Sequence, residues 1–457
     1  MSYKLSIVKN KMMKRIINIL ILLCCIASLS SCGNSTEERS RVLKIYNWAD
    51  YIDEDVLAEF PDWYKQQTGE DLRIIYQVFD INEIMLTKIE RGHEDFDVVC
   101  PSEYIIERML RKDLLLPIDR NFGHTPDYIP NVSPYIRHEL NKTSQPERQT
   151  EDYAVPYMWG TAGILFNKKF ITAEEAGTWD ILWDSKNRGK ILMKDSYRDA
   201  YGTAIIYAHA RELADSTVTV EQLMNDNSPQ AIALAEQRLK EMKPNIAGWE
   251  ADFGKEMMTK NKAWINFTWS GDAVWAIEEA DAVGVELDYT VPCEGSNIWY
   301  DGWVIPKYAG NPKAAAYFIN YLCRPDIALR NMDAIGYVSA VATPEIMEAK
   351  RDTAIATRSD LSYFFGEGVG ADSLQINPVQ YPDRKVVERC AMIRDFGDRT
   401  ELVLEMWSRV KGDNLNTGIV LLIFAVFGLL FIWLVYAKIR KYKQKRRHRL
   451  RRKRKRG

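Results

Sequence analysis

Apolar positions recur along most of this chain with two alternating periods. Residues 41–48 (RVLKIYNW) read as a strand. Asp53 then precedes Val56, Leu57, Phe60, Trp63 and Tyr64, whose spacing of three and four predicts a helix with one apolar stripe, closed at Gly69. A strand over 72–79, a helix over 83–91 ending at Gly92, a short buried strand over 96–100 and a helix over 102–111 follow. A polar connection occupies 117–134. The pattern resumes with strands at 154–167 and 190–193, helices at 200–213 and 229–242, and a strand at 264–268. A helix at 272–280 behind Gly271, strands at 285–291 and 303–305, and helices at 312–322 and 326–332 complete it. Alternation of strands with helices predicts an α/β fold, a sheet covered by helices. A chain of 457 residues is too long for one core, which predicts two lobes.

The two ends depart from this pattern. Lys14-Arg15, the apolar run 16–27 and Leu29-Ser30-Ser31-Cys32 have the order of a bacterial lipoprotein signal. They predict a cleaved signal peptide over 1–31, a lipid on Cys32 and a linker over 32–40. Residues 418–437 carry no charge; as a helix they would rise about 30 Å, enough to cross a bilayer. Trp433 and Tyr436 stand near the inner end, and the basic tail 438–457 would remain in the cytoplasm. The expectation is therefore one C-terminal transmembrane helix with the body on the periplasmic face of a bacterial inner membrane. The tail reads as a positive stop resting on anionic lipid rather than as an RNA-binding arm.

Charge sharpens the picture. The formal net charge is −2, but residues 1–31 hold five basic side chains and 438–457 hold 14, with no acid in either. The 406 residues between them carry 42 Lys and Arg against 63 Asp and Glu, a net of −21. Such a body repels nucleic acid and concentrates cations. Five histidines (His93, His124, His138, His209 and His448) and the absence of HExxH or GxSxG patterns argue against an enzyme; the remaining enzymatic option, a glycosidase-like carboxylate pair, ranks well below binding. Cys100, Cys293, Cys323 and Cys390 are scattered, without CxxC, so no zinc site is expected and buried thiols are favoured, although three pairings are open to them. Nothing calls for a metal or another cofactor.

In open α/β sheets, ligands bind beyond the carboxyl ends of strands. Those ends are here Trp48-Ala49-Asp50-Tyr51, Pro101-Ser102-Glu103-Tyr104, Asp195-Ser196, Trp269-Ser270-Gly271-Asp272 and Trp299-Tyr300-Asp301. Three of the five place an aromatic beside a carboxylate. That chemistry suits a polyamine, whose ammonium groups take carboxylates and ring faces and whose methylenes take flat apolar walls.

At these residues the chain resembles the spermidine/putrescine-binding periplasmic proteins of ABC transporters. The resemblance starts in Ile45-Tyr46-Asn47-Trp48-Ala49-Asp50-Tyr51-Ile52 and continues through Phe96-Asp97-Val98-Val99-Cys100-Pro101-Ser102 and Val155-Pro156-Tyr157-Met158-Trp159-Gly160. It runs on through Trp269-Ser270-Gly271-Asp272, Trp299-Tyr300-Asp301 and Leu322-Cys323-Arg324-Pro325-Asp326, so it covers residues 41–411. It implies a periplasmic-binding-protein clamp of two lobes, with the chain crossing between them more than once. Residues 41–153 with about 301–345 would form the first lobe, and 154–300 with about 346–413 the second. It also implies a polyamine held between the lobes and handed to an ABC permease and its ATPase. Carried over by position, Trp48, Asp50, Tyr51, Ser102, Tyr104, Trp269, Asp272, Trp299, Asp301 and Tyr337 would line the cleft, with Asp301 the first acid expected at an amine.

The chain also departs from that family. Spermidine-type members carry an acid where Ser196 stands and an amide near Ile393; Asp199 is the residue that can replace the missing charge. Asp272 is of the putrescine type, whereas Tyr104 and Trp299 are of the spermidine type. The reduced acid count favours putrescine over spermidine. The alternative to transport is a membrane-tethered polyamine sensor, but only a basic tail follows the expected span.

Overall fold

The computed structural model of the chain describes residues 39–250, 253–412, 425–428, 433, 436 and 438. Two compact units divide at Thr400. The first contains the α/β body, in which eleven strands form a continuous network among the described residues. They are β1 (Val42–Trp48), β2 (Arg73–Phe79), β3 (Val98–Val99), β4 (Leu115–Leu116), β5 (Ala154–Asn167), β6 (Ile191–Lys194), β7 (Ile246–Glu250), β8 (Ile265–Trp269), β9 (Leu287–Thr290), β10 (Ile298–Pro306) and β11 (Val338–Ser339).

The main path runs β2-β1-β3-β10-β5-β8-β6-β7. Its flanks are parallel: β1 with β2 and β3 on one side, β6 with β7 and β8 on the other. Between the flanks run two longer antiparallel strands. The first half of β5 pairs with β10, from Ala154↔Val304 to Thr161↔Ile298, and its second half pairs with β8 and β9. All 14 residues of β5 are buried, so this one strand serves both lobes of the clamp. The chain returns along β10, whose register shifts between Asp301 and Gly302. A bulge of that kind bends a strand and re-aims the side chain beside it.

Local chemistry explains the helices that reach the site. Helix α1 (Glu54–Thr68) starts where the Asp53 carboxylate accepts the Asp55 N–H at 2.8 Å, and it ends at Gly69 with φ of 76°, a left-handed cap that glycine adopts without strain. Helices α2 (Asn82–Glu90) and α3 (Glu103–Arg111) follow β2 and β3. Helix α4 (Tyr197–Ala208) begins three residues before the expected start, because Ser196 caps it by accepting the Asp199 N–H at 3.3 Å. Helix α5 (Ser270–Ala282) likewise starts directly at the end of β8, which puts Asp272 in its first turn. The larger core cluster holds Tyr46, Phe60, Trp159 and Trp303, all essentially buried, and a smaller one forms around Leu165, Leu192 and Ala276. Cys100 and Cys323 are buried, Cys390 is partly so and Cys293 is exposed; all four are free thiols.

The expected transmembrane helix is corrected. No helix among the described residues is long and apolar enough to cross a membrane. A charge-free run shows only that a segment tolerates hydrocarbon; spanning requires about 20 consecutive helical residues. Most of 418–437 lies outside the described residues, and the helical residues described there are 425–428, 433 and 436. The helix Thr400–Gly412, all but its first residue in the second unit, has 13 residues and carries charges. The expected signal peptide and lipid-bearing Cys32, the expected linker up to residue 38 and nearly all of the basic tail also lie outside the described residues.

Candidate functional site

The first lobe presents Asp301. The β10 bulge and an isolated bridge between Ser102 and Asp301 set this carboxylate against the start of α3. The Tyr51 hydroxyl donates to Asp301 Oδ2 at 2.8 Å, while Oδ1 is buried and has no hydrogen-bond partner among the described residues. Among the described residues no basic group pairs with it. Burial pushes the Asp301 carboxyl up to about 6, and the nearby Ser102 and Tyr51 hydroxyls oppose this only in part. Tyr51 is itself fixed, because its carbonyl accepts from the Tyr157 hydroxyl at 3.0 Å and from Asn47 Nδ2 at 3.2 Å.

Aromatic rings wall this acid. Tyr337 makes edge-on contacts with Tyr51 and Trp299, both at 5.5 Å between centroids. Two glycines permit the approach: a Cβ at Gly271 would sit 2.4 Å from the Tyr337 ring, and one at Gly160 would sit 2.7 Å from Trp299. The Asp272 carboxylate lies close enough to Tyr337 to help burial raise its hydroxyl, so this tyrosine stands between Asp301 and Asp272. Behind the strand, Glu103 accepts the Tyr300 N–H at 3.0 Å, and burial raises its carboxyl to about 8. This raised value favours the neutral form of Glu103 at pH 7.

Asp272, from the second lobe, has a different environment. Its Oδ2 lies 2.6 Å from Lys194 Nζ and its Oδ1 lies 3.5 Å from Lys255 Nζ. Lys194 also reaches Glu250 at 3.3 Å, with both side chains 1% exposed. The Lys194 ammonium stands over the Trp269 ring, 4.7 Å from its centroid. Burial works against ionisation of Asp272, but Lys194 and Lys255 outweigh it and hold the carboxyl below its usual range.

Asp199 forms a third acidic point. Trp269 Nε1 donates to its Oδ2 at 3.2 Å and Asn297 Nδ2 to its Oδ1 at 2.9 Å, and the group is buried. Only neutral donors meet it in these bonds. Tyr104 is held by Asn82 at 3.0 Å and by Glu83 at 3.2 Å, and the Arg198 guanidinium stacks on its ring at 3.9 Å. Asn82 also donates to Ser102 at 3.0 Å.

Nine of the eleven residues expected from the sequence are thus linked by these contacts. Trp48 and Asp50 join less closely. Trp48 lies 4.5 Å from Phe79, with its Nε1 unpartnered among the described residues. Asp50 is exposed and has φ of 50°. Sequence reasoning missed Lys194, Glu250, Asn297 and Arg198. Lys194 had a legible signal, since it is a lysine at the carboxyl end of a buried strand; Glu250 had none, because β7 was not anticipated. Two surface concavities, one around Arg137 and Thr150 and another around Tyr135, Tyr363 and Cys390, contain none of the expected residues. Among the described residues no group of His, Cys, Asp and Glu could hold a metal ion. With acids, ring faces and no assembled nucleophile, the arrangement can bind cations.

The fold and the facing lobes are those of a binding clamp, and the chain belongs to the bacterial extracellular solute-binding protein family, which matches residues 62–357. It is a solute-binding protein and not an enzyme. Among its relatives, the spermidine/putrescine-binding periplasmic protein of Salmonella typhimurium is 28% identical over 377 residues, covering 81% of this chain and 92% of that protein. The putrescine-binding periplasmic protein PotF of Escherichia coli is 29% identical over 324 residues, covering 68% and 82%. A solved structure described as a putative spermidine/putrescine ABC transporter from Listeria monocytogenes superposes with a TM-score of 0.63 at 29% identity, covering 81% of this chain and 99% of that one.

Proposed function

We propose that this chain captures a polyamine of the putrescine or spermidine type between its lobes, on the outer side of the bacterial inner membrane, and delivers it to an ABC permease for import. The observation that carries this reading is Asp301: a buried carboxylate with an unpartnered oxygen and no cation beside it, walled by Tyr51, Trp299 and Tyr337. A buried acid of this kind is costly until a cation arrives, and a flat aromatic wall adds about 0.5–2 kcal/mol per cation–π contact. The relatives named for spermidine and putrescine binding support the same ligand class, and support transport rather than sensing.

In this reading Asn297, Trp299 and Asp301 mark the ligand axis. Alternate residues of a strand share a face, and at about 3.3 Å per residue Asp301 and Asn297 stand roughly 13 Å apart. Asn297 carries Asp199, so an acid ends the axis on each side with Trp299 between them. Trp48, Asp50, Ser102 and Tyr104 would shape the rim around the Asp301 end. The anchor we propose is a lipid on Cys32, as the signal-like sequence before it suggests. Calorimetric titration of the purified full chain with putrescine, spermidine and an uncharged diol of equal length tests the ligand class. Binding of the amines but not the diol is expected, and equal binding of the diol would refute a charge-recognising site. Loss of membrane association in Cys32→Ala, with the wild type retained on the membrane, is the expected mark of the anchor.

A further inference from the structure

We propose that Lys194 determines specificity in this site: its own ammonium fills one amine subsite, so the cleft accepts a ligand with two ammonium groups and refuses a third. The proposal rests on the polyamine reading above and goes further, to the number of charges in the ligand.

The groups that would receive a ligand amine already surround Lys194. Its Nζ has the Asp272 carboxylate at 2.6 Å, the Glu250 carboxylate at 3.3 Å and the face of Trp269 at 4.7 Å. Two acids and an indole face are what a desolvated ammonium requires. Lys194 is 1% exposed and projects from the last residue of β6, so its position is set by the buried strand and not by a mobile surface arm. Burial disfavours its charge, and Asp272 and Glu250 reverse this and hold it protonated.

The charge count then fixes the valence of the ligand. Lys194 and Lys255 offset Asp272 and Glu250. Glu83 and Arg198 both meet Tyr104 and offset each other in charge. That leaves two carboxylates without a basic partner in the contacts described above: Asp301, within β10, and Asp199, held by Asn297 just before β10 begins. A four-carbon diamine spans about 6 Å between nitrogens from ordinary bond lengths, and two charge-assisted hydrogen bonds of about 2.8 Å extend this to roughly 12 Å. The Asn297 and Asp301 backbone positions are about 13 Å apart along the strand, so a ligand of this reach can extend from the Asp301 carboxylate toward the end where Asn297 holds Asp199. Trp269 is shared, since its Nε1 bonds Asp199 while its face carries Lys194. A third ammonium extending past Asp199 would meet the Lys194 cation in a desolvated setting, where like charges repel strongly.

The test is competitive titration of the purified full-length protein with putrescine, spermidine and mono-N-acetylspermidine, in wild type, K194M and K194R. In the wild type, acetylation of spermidine is expected to strengthen binding at least threefold, because it removes the ammonium that Lys194 opposes. In K194M the ratio of spermidine to putrescine affinity is expected to rise at least tenfold, about 1.4 kcal/mol, and K194R is expected to keep the wild-type ratio. A folded K194M with an unchanged ratio overturns the proposal. So does weaker binding of the acetylated triamine by the wild type, a result that needs no variant to fold. Binding of none of the three amines by the wild type overturns the polyamine reading itself, whereas amine binding without these shifts overturns only the role of Lys194.

Discussion

Asp301 and Asp272 are both buried aspartates two or three residues after a tryptophan, one within β10 and the other in the first turn of α5, yet their surroundings are opposite. Asp301 meets only hydroxyl donors, so burial dominates and its carboxyl rises to about 6. Asp272 sits in the first turn of α5 between two lysines, and its carboxyl falls. A helix N-terminus adds to the same effect. The difference shows that an acid next to an aromatic is not by itself a cation site. What matters is whether the protein has already supplied the cation.

The sharpest way to break this comparison is to remove each acid in turn. Asp272→Ala removes the nearer of the two carboxylates paired with Lys194, and breaking a buried pair typically costs about 3–5 kcal/mol of stability. Thermal or urea unfolding should show that loss without ligand; a change below about 1 kcal/mol would mean that the pair contributes little. Asp301→Ala should act on affinity instead. Truncating one partner of a buried charge pair costs about 2–5 kcal/mol, roughly 30- to 4000-fold in Kd for putrescine. Unchanged affinity in a folded variant would remove Asp301 from the site.

Titration with pH separates the two acids next. Asp301 binds its proton more tightly folded than unfolded, so the folded state loses stability as pH rises from about 4 to about 6, on the order of 3 kcal/mol from this group. Glu103, raised to about 8, extends the decline to that pH, and Glu103→Gln should flatten the upper part. Diamine affinity should move the other way, weakening about tenfold per unit below pH 6 as Asp301 protonates. Asp272, being already ionised, adds nothing to either slope between pH 5 and 8. A Kd independent of pH across 5–7 would contradict the assignment of Asp301.

Smaller effects sharpen the margin. Tyr51→Phe deletes one hydrogen bond to Asp301, typically about 0.5–1.5 kcal/mol, so a two- to tenfold loss of affinity is expected with the pH midpoint moved upward. Midpoint and affinity both unchanged would show that this hydroxyl does not tune the acid. Asp50→Ala should matter least. Asp50 is exposed, and its effect on affinity should stay below about threefold. A tenfold loss would draw the first turn into direct ligand contact.

Much of this was determined by the sequence alone. The period of apolar positions settled the α/β class, since a buried strand and a helix stripe leave different patterns, whereas Trp299 and Asp301, expected at a strand end, lie within β10. The resemblance found through those residues holds at the level of the family. Hydropathy did not settle the C-terminal span, because tolerance of hydrocarbon is a property of composition, whereas spanning requires a continuous helix. Tertiary structure decided the state of each acid. Lys194 lies 78 positions from Asp272, and Tyr51 lies 250 from Asp301. Whether a carboxylate keeps its charge for a ligand depends on burial and on partners within a few ångströms, and only the folding together of β1, β6, β10 and α5 supplies both.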